Sequence, residues 1–431
     1  MLSTEENEFM CRTDRGTPMG EFCRRFWTPV LLAEELPGPD CEPVQVKIYG
    51  EELVAFRDTS GRVGLLKEFC PHRRASLFYG RNEENGLRCA YHGWKFDVTG
   101  ACVDMMSEPV DSNFASKVKA LAYPTREAGG FIWAYMGPPE LQPPMPDLEY
   151  LKVPDNHRQN HKVFYESNFV QVIEGEIDTV HASILHSRLD ALAMSDSATT
   201  LAGRYSYKDR AARFHVMDTE SGILIGAKRN AEEDSYYWRI SRWLFPWVTM
   251  IPREPKGPCR SGLIVPADDE NCWFFLVRWD PYNPLEGPYM EAPKEGMVPG
   301  TWLGKANKRN HYLIDREVQR TETFSGIPNS MGRAQDAAMT DSMGVIVDRM
   351  DEHLGTTDTA IIRMRRRLIQ GAKDLQNGIE PYAASHPEVY RVRSGGALLP
   401  RDVFFTDDPA TLEDITAKEW PAREQAVPSG T

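Results

Sequence analysis

Cys70-Pro71-His72, followed after sixteen residues by Cys89-Ala90-Tyr91-His92-Gly93-Trp94, decides how this chain is read. A thiol and an imidazole one or two residues apart, repeated once, can present four ligands to one small metal centre from two loop tips. A zinc knuckle is the plain alternative, since paired cysteines and histidines hold zinc well. Three details favour iron–sulfur. Pro71 fixes the backbone inside a Cys-x-His pair, whereas zinc fingers space their ligands by two or more residues. Gly93 and Trp94 suit a tight turn with an apolar lid. Gly80 and Gly86 make the segment 73–88 a hairpin rather than a finger helix.

Thiolates from Cys70 and Cys89 on one iron, with neutral imidazoles from His72 and His92 on the other, form the ligand set of a Rieske [2Fe–2S] cluster. Such a centre passes single electrons and does not bind substrate. An acceptor must lie elsewhere, and Asp178-Thr-Val-His181-Ala-Ser-Ile-Leu-His186 supplies two of its ligands. Two histidines and a carboxylate make the facial triad of a non-haem Fe(II) oxygenase, which leaves positions open for dioxygen. On a straight helix, residues five apart lie about 140° apart. His181 and His186 therefore converge only if the helix ends, kinks or bulges between them. Asp178 lies about 60° from His181 on such a helix and can touch its imidazole. Glu174 and Glu176 are ligands, orienting residues or ordinary helix-surface groups. The third ligand is expected late in the chain, where Asp336, Asp341, Asp348 and Asp351 qualify. Asp336, at the start of a predicted helix beside small apolar residues, is preferred, with Asp341 in reserve.

With 431 residues, 41% hydrophobic and 26% charged, the chain can bury two domain cores. Its net charge of −13 argues against nucleic acid and against an anionic membrane surface as partners. No run reaches the ~18 apolar residues of a membrane span. The acidic start is unlike a signal peptide, and Ser3 with Glu6 reads as a capping box. Eight cysteines are too dilute for a disulfide scaffold, and those outside the motif lack pairing logic. A reduced, cytoplasmic protein is expected.

The predicted class is α+β. A helical segment (1–39) precedes an all-β Rieske domain (40–138), a proline-rich linker (139–149) and a larger helix-grip-like α+β catalytic domain with mononuclear iron (150–431). Val44, Val46 and Ile48 alternate with polar residues, 53–57 forms a second extended run, and 130–136 closes the β domain. Beyond the linker, a helix is predicted over 168–186 and strands over 213–216, 236–247 and 272–279. A long helix is capped by Thr357, with Ala360, Ile361, Met364 and Leu368 on its inner face. Arg363 and residues 365–367 are assigned to a solvated or subunit-facing side. The tail after Pro400 reads as irregular.

The chain resembles the oxygenase component of Rieske non-haem iron aromatic-ring hydroxylases of the phthalate dioxygenase type. The likeness is carried by Cys70-Pro-His72-Arg-Arg-Ala-Ser76-Leu, Cys89-Ala-Tyr-His92-Gly-Trp94-Lys and Glu174-Gly-Glu-Ile-Asp178-Thr-Val-His181. Gln335-Asp336, Met343-Gly344 and Glu352-His-Leu-Gly355 add to it. The resemblance implies that Cys70, His72, Cys89 and His92 bind the cluster and that His181, His186 and Asp336 bind iron. It further implies a homotrimer or stacked trimers, in which electrons cross from one subunit's cluster to its neighbour's iron. Asp178 would bridge the two centres, hydrogen-bonded to a cluster histidine and to His181. An NADH-dependent flavin/iron–sulfur reductase would supply the electrons, and O2 and an aromatic compound would be the substrates.

Family members of this type often take aromatic carboxylates, which a guanidinium grips with two parallel hydrogen bonds. Arg204, Arg239 and Arg242 are the candidates. Strand alternation puts Arg239 and Arg242 on opposite faces, so at most one enters a pocket. Trp238, Trp243, Phe245 and Trp247 are assigned to core packing, and residues 187–235 to loops over the iron. Ring dihydroxylation and O-demethylating monooxygenation both remain open. The competing class is a Rieske-type electron carrier with a non-catalytic C-terminal domain.

Overall fold

A computed structural model describes residues 2–109, 111–287, 296–329 and 333–418. The chain opens with a helix over Thr4–Cys11, capped by Ser3 and Glu6 in the reciprocal box expected from their spacing. A second helix, Pro18–Cys23, follows. The segment expected to be wholly helical also holds a strand. Thr28–Leu32 pairs antiparallel with Phe131–Ala134, which pairs in turn with Thr125–Ala128. All five residues of Thr28–Leu32 are buried, so the run lacks the alternation that marks a half-exposed strand.

A second sheet orders Val44–Ile48, Glu51–Arg57, Val63–Lys67 and Ala122–Tyr123. A third holds Arg81–Glu83, Gly86–Arg88, Trp94–Phe96 and Cys102–Met105. The hairpin expected within 73–88 is present. Its reversal is carried by Glu84 and Asn85, both with positive φ (49° and 59°), rather than by a glycine. Those angles suit the primed turns that match strand twist. The proline-rich stretch then runs as short 3₁₀ turns, Pro139–Leu141 and Glu149–Leu151.

The C-terminal part is built on one antiparallel sheet. Its strands run in the order Arg158–Tyr165, Cys272–Trp279, Cys259–Pro266, Val248–Met250, Ser235–Leu244, Gly222–Asn230 and Arg213–Thr219, with Gly395–Pro400 also paired to Ser235–Leu244. Arg158–Tyr165, Gly222–Asn230 and Cys259–Pro266 escaped the sequence reading. The last two are buried along nearly their whole length, and continuous apolar runs carry no helix-or-strand period.

Helices Phe169–Ile177 and Thr359–Gln376 pack on this sheet, giving the expected helix-over-sheet arrangement. Asn168 accepts from the Val170 amide to start the first of them. Phe169, Val170, Val172, Ile173 and Ile177 then turn inward. The predicted helix over 168–186 thus stops after Ile177. The long helix begins at Thr359, after a 3₁₀ turn over Thr356–Asp358, rather than on Thr357. Its buried stripe is Ala360, Met364, Leu368, Ile369 and Ala372, together with Arg365, which was expected on a solvated or subunit-facing side. Past Pro400, a short helix over Pro409–Asp414 replaces the expected irregular tail.

Candidate metal centres

The two Cys/His loops meet at one end of the β domain. Cys70 N–H bonds to Ala75 O (2.9 Å), and Gly93 N–H to Cys89 O (3.0 Å), so each loop is closed on itself by main-chain bonds. Cys70 and Cys89 are buried. Their thiols adjoin, and burial followed by that neighbour pushes Cys70 up to about 11. Losing such a proton calls for a bound cation. The His72 and His92 rings lie 4.5 Å apart, and Trp94 stacks on His72 at 4.3 Å. His72 Nδ1 is buried without a hydrogen-bond partner, the condition of an atom meant for a metal. A tetrahedral zinc would hold all its ligand atoms within roughly 3.3–3.8 Å of one another. Among the described residues, no three of these four bring their ligand atoms within 4.8 Å. They fit a binuclear cluster spanning the gap and not a single ion.

Among the described residues, one trio does converge to that degree: His181, His186 and Asp336. The helix Phe169–Ile177 ends on Asp178, whose backbone is extended (ψ 95°). A 3₁₀ turn over His181–Ser183 follows. This break is the condition under which histidines five apart can meet, and their rings lie 5.2 Å apart. Asp336 sits in the first turn of the helix Ala334–Ser342. Its Oδ1 lies 3.1 Å from His186 Nε2 and 3.5 Å from His181 Nε2. Gln171 ties the two helices by donating to Thr340 O and Gly344 O, both at 3.0 Å.

Two of these three candidate ligands are oriented from behind. His186 Nδ1 lies 2.6 Å from Gln335 Oε1, and the Gln335 amide donates to Ser325 Oγ and Ile327 O. An amide oxygen accepts, so Nδ1 carries the proton and Nε2 presents its lone pair to the metal position. Arg333 bridges Glu176 and Asp336 Oδ2. Burial opposes ionisation of Asp336, yet Arg333 and the two imidazoles hold its carboxyl well below the usual range. Burial likewise disfavours a charged His181, and Asp336, Asp178 and Glu176 overcome it, raising its pKa. That negative field favours a proton or a metal cation alike.

Asp178 departs from expectation in one respect. Its Oδ2 lies 3.7 Å from His181 Nδ1, beyond hydrogen-bond reach. Its Oδ1 accepts instead from the Val180 amide at 2.8 Å, with the His181 amide at 3.4 Å. Glu174 turns away from the site to Arg349 and Arg365. Asp341 takes the Tyr312 hydroxyl, and Asp348 and Asp351 are exposed.

A cavity of about 1120 Å³, counting its open mouth, reaches the trio. Asp178, Thr179 and Glu176 line it, with Arg239, Ile251, Pro252, Arg260 and Arg333. Arg239 enters the cavity, its Nε donating to Thr179 Oγ1 at 2.6 Å. Arg242 is buried on the other face against Arg393 O (2.8 Å), as alternation demands. Arg204 is exposed, bonded to Ala198 O, and lies outside the lining. Residues 187–235 contribute none of the described lining, contrary to expectation. Arg260 was missed; a cation in the otherwise apolar run Cys259–Pro266 was its signal. Trp238, Trp243 and Trp247 are core residues.

The pattern of the Rieske [2Fe-2S] domain matches residues 26–115, and that of the LigXa C-terminal domain residues 134–416. The chain is 39% identical over 429 residues to the phthalate 4,5-dioxygenase oxygenase subunit of Pseudomonas putida, a match covering 94% of each. It is 37% identical over 423 residues to the 3-chlorobenzoate-3,4-dioxygenase oxygenase subunit of Comamonas testosteroni, covering 94% of this chain and 96% of that one. Among solved structures it resembles dicamba monooxygenase bound to dicamba, with a TM-score of 0.57 over 83% of this chain and 99% of the other. That likeness, at 19% identity, speaks for the fold alone. Near-full-length kinship of this order, added to the donor geometry, means that the chain belongs to the oxygenase subunits of the Rieske non-haem iron oxygenases, phthalate dioxygenase type, whose cofactors are a Rieske [2Fe–2S] cluster and a mononuclear iron.

Proposed function

We propose that this oxygenase hydroxylates an aromatic carboxylate by ring dihydroxylation, with iron bound by His181, His186 and Asp336 and the cluster by Cys70, His72, Cys89 and His92. The observation that carries the reading is that Arg239 and Arg260 line the same cavity as the His181/His186/Asp336 trio. Arg239 places one donor on Thr179, and a guanidinium has others for an anion. A carboxylate held there would share one cavity with the trio. Both relatives described above are named for aromatic carboxylates and as dioxygenases. Of the three arginines expected from sequence, Arg239 is retained as a substrate residue, Arg260 joins it, and Arg204 and Arg242 are not supported.

When bound, the iron and the cluster supply oxygen activation and single-electron delivery, chemistry that no side chain provides. The protein's part is placement. Gln335 fixes the His186 tautomer, Arg333 orients Asp336, and Ile251 and Pro252 present apolar surface beside the trio. On this reading Asp178, a partly exposed neighbour of His181, would meet a cluster histidine of a neighbouring subunit in a homotrimer or stacked trimers. NADH-derived electrons reach the cluster through a flavin/iron–sulfur reductase. No helix among the described residues is long and apolar enough to cross a membrane, and none of the eight cysteines is in a disulfide. Free cysteines accord with a reducing compartment, and we read the protein as a catabolic enzyme of the cytoplasm.

The test is a screen of benzoates and phthalates for substrate-stimulated NADH and O2 consumption with a surrogate reductase, with products formed under labelled O2. A diol carrying both labelled atoms is the expected result. Formaldehyde release would assign O-demethylation instead. Metal analysis excludes a pure electron carrier if it returns about three irons per chain, two in the cluster and one mononuclear.

A further inference from the structure

We infer that Arg333 is a positioning residue that confines Asp336 to a single metal-binding oxygen, so that the iron keeps three open coordination positions rather than two. The inference rests on the reading of His181, His186 and Asp336 as the iron ligands. The two oxygens of that carboxylate are committed differently. Oδ1 faces both imidazoles, at 3.1 and 3.5 Å. Oδ2 accepts from Arg333 Nη2 at 3.0 Å. Charge-assisted bonds of this kind are among the strongest in proteins.

The guanidinium is itself fixed on two other sides. Nη2 also donates to Glu176, whose side chain is 7% exposed. The planar group lies over Phe274, with its central carbon 4.6 Å from the ring centroid. Arg333 further holds a left-handed backbone (φ 59°, ψ 40°) at the position that opens the helix Ala334–Ser342. Residues with a β-carbon adopt that region rarely, and keep it where their surroundings demand it. From there, one helical turn separates Arg333 from Asp336, the spacing at which side chains of a helix meet.

Bringing Oδ2 onto the metal would break this bond and cost Arg333 one of its two carboxylate partners in a largely buried setting. Two imidazoles and one carboxylate oxygen leave three positions on an octahedral ion, whereas a two-oxygen carboxylate leaves two. The extra position admits a water or substrate oxygen beside dioxygen. Arg333 thereby sets the room available at the iron without being a ligand to it.

Crystals of the Fe(II)-loaded holoenzyme, grown without oxygen and with iron located by anomalous scattering, test this. The wild type is expected to show one Asp336 oxygen bonded to iron and the other on Arg333. The double variant Glu176→Gln/Arg333→Met, which removes both buried charges together, is expected to bind iron through both oxygens. Two bonded oxygens in the wild type, or one in each protein, would overturn the inference. If the double variant does not fold, the single variant Arg333→Gln, read by the same criterion, takes its place. Iron analysis of Asp336→Ala separates the underlying reading: full mononuclear iron there would mean that the ligand assignment had failed, not the role of Arg333.

Discussion

Replacing Glu174 with alanine should destabilise the catalytic part severely while sparing both metal centres. Glu174 is buried and accepts from three donors: Arg349 Nε at 3.2 Å, Arg349 Nη2 at 3.1 Å and Arg365 Nε at 2.6 Å. Arg349 is fully buried and also reaches Asn7 Oδ1 (2.8 Å) and Cys11 Sγ (3.2 Å), tying the first helix of the chain to this hub. Arg365 keeps Glu352 at 2.6 and 2.9 Å in the variant. Arg349 would keep neutral partners alone. Removing one member of a buried ion network leaves an uncompensated charge and costs about 3–5 kcal/mol. With about 2.1 cal/mol/K of unfolding entropy per residue, a cooperative unit of about 280 residues has roughly 0.6 kcal/mol/K. The predicted loss in Tm is therefore about 5–8 °C.

The sign of the pH dependence follows from the same contacts. Burial raises the pKa of Glu174, but Arg349 and Arg365 outweigh it and bring it below the ordinary 4.5. A carboxylate depressed in the folded state contributes stability at pH values above its unfolded pKa. That contribution fades as pH falls through 4.5 toward the folded value. Wild-type Tm should thus drop with acidification in that window, and Glu174→Ala should lack this component. Thermal unfolding followed by circular dichroism, with iron content measured beside it, decides the matter. A variant with wild-type Tm, or one that lost mononuclear iron at unchanged Tm, would refute the assignment of Glu174 to the ion network.

Asp178→Asn should retain both metals and slow cluster-to-iron electron transfer severely; wild-type rates of cluster reoxidation in a single turnover would remove it from the bridge. Arg239→Gln should weaken carboxylate binding about 10- to 100-fold, the equivalent of the ~1.5–3 kcal/mol of a bond to a charged group. Equal substrate affinity in the variant would leave Arg260 or another group as the anchor. Gly93→Ala should lower cluster occupancy, because φ is +75° and an added β-carbon would fall 2.8 Å from Met106 Cβ. The ratio of sulfide to protein after anaerobic purification measures it.

What could be read from sequence divides along a physical line. The candidate cluster residues Cys70, His72, Cys89 and His92 stood out in the sequence because each loop carries its own closely spaced pair. His181 and His186 were legible only conditionally. Their meeting requires the helix to stop, and it stops at Asp178, whose carboxylate then takes up the Val180 amide. Arg239 followed from strand alternation once a pocket was assumed on one face. Arg365 was misplaced although it lies one turn from both Ile361 and Ile369, on the flank of the buried stripe. A charged residue is read as solvated unless its partner is known, and Glu174 lies 191 residues away. Arg333 was invisible for the same reason: only the folded chain brings Glu176 to it across 157 positions.

That division has a consequence for how substrate range is set in such a fold. The candidate cluster residues, and His181 with His186, lie close together in sequence, whereas Asp336 joins them from another helix. The groups that shape the space around the iron come from Thr179, Arg239, Ile251, Arg260 and Arg333, on separate strands and loops held together only by tertiary contacts. Arg229 sits behind them, buried, donating to Thr179 O at 3.2 Å, and brought down to about 10 by burial and by the like charge of Arg239. The repulsion between these two guanidiniums is offset in part by Asp178, which lines the same cavity, and by Asp209. On the proposed reading, a carboxylated substrate would add an anion facing Arg239 and gain from that charge, whereas a neutral substrate of the same shape would not. Binding of a benzoate measured against its amide checks the difference, and equal affinities would refute it.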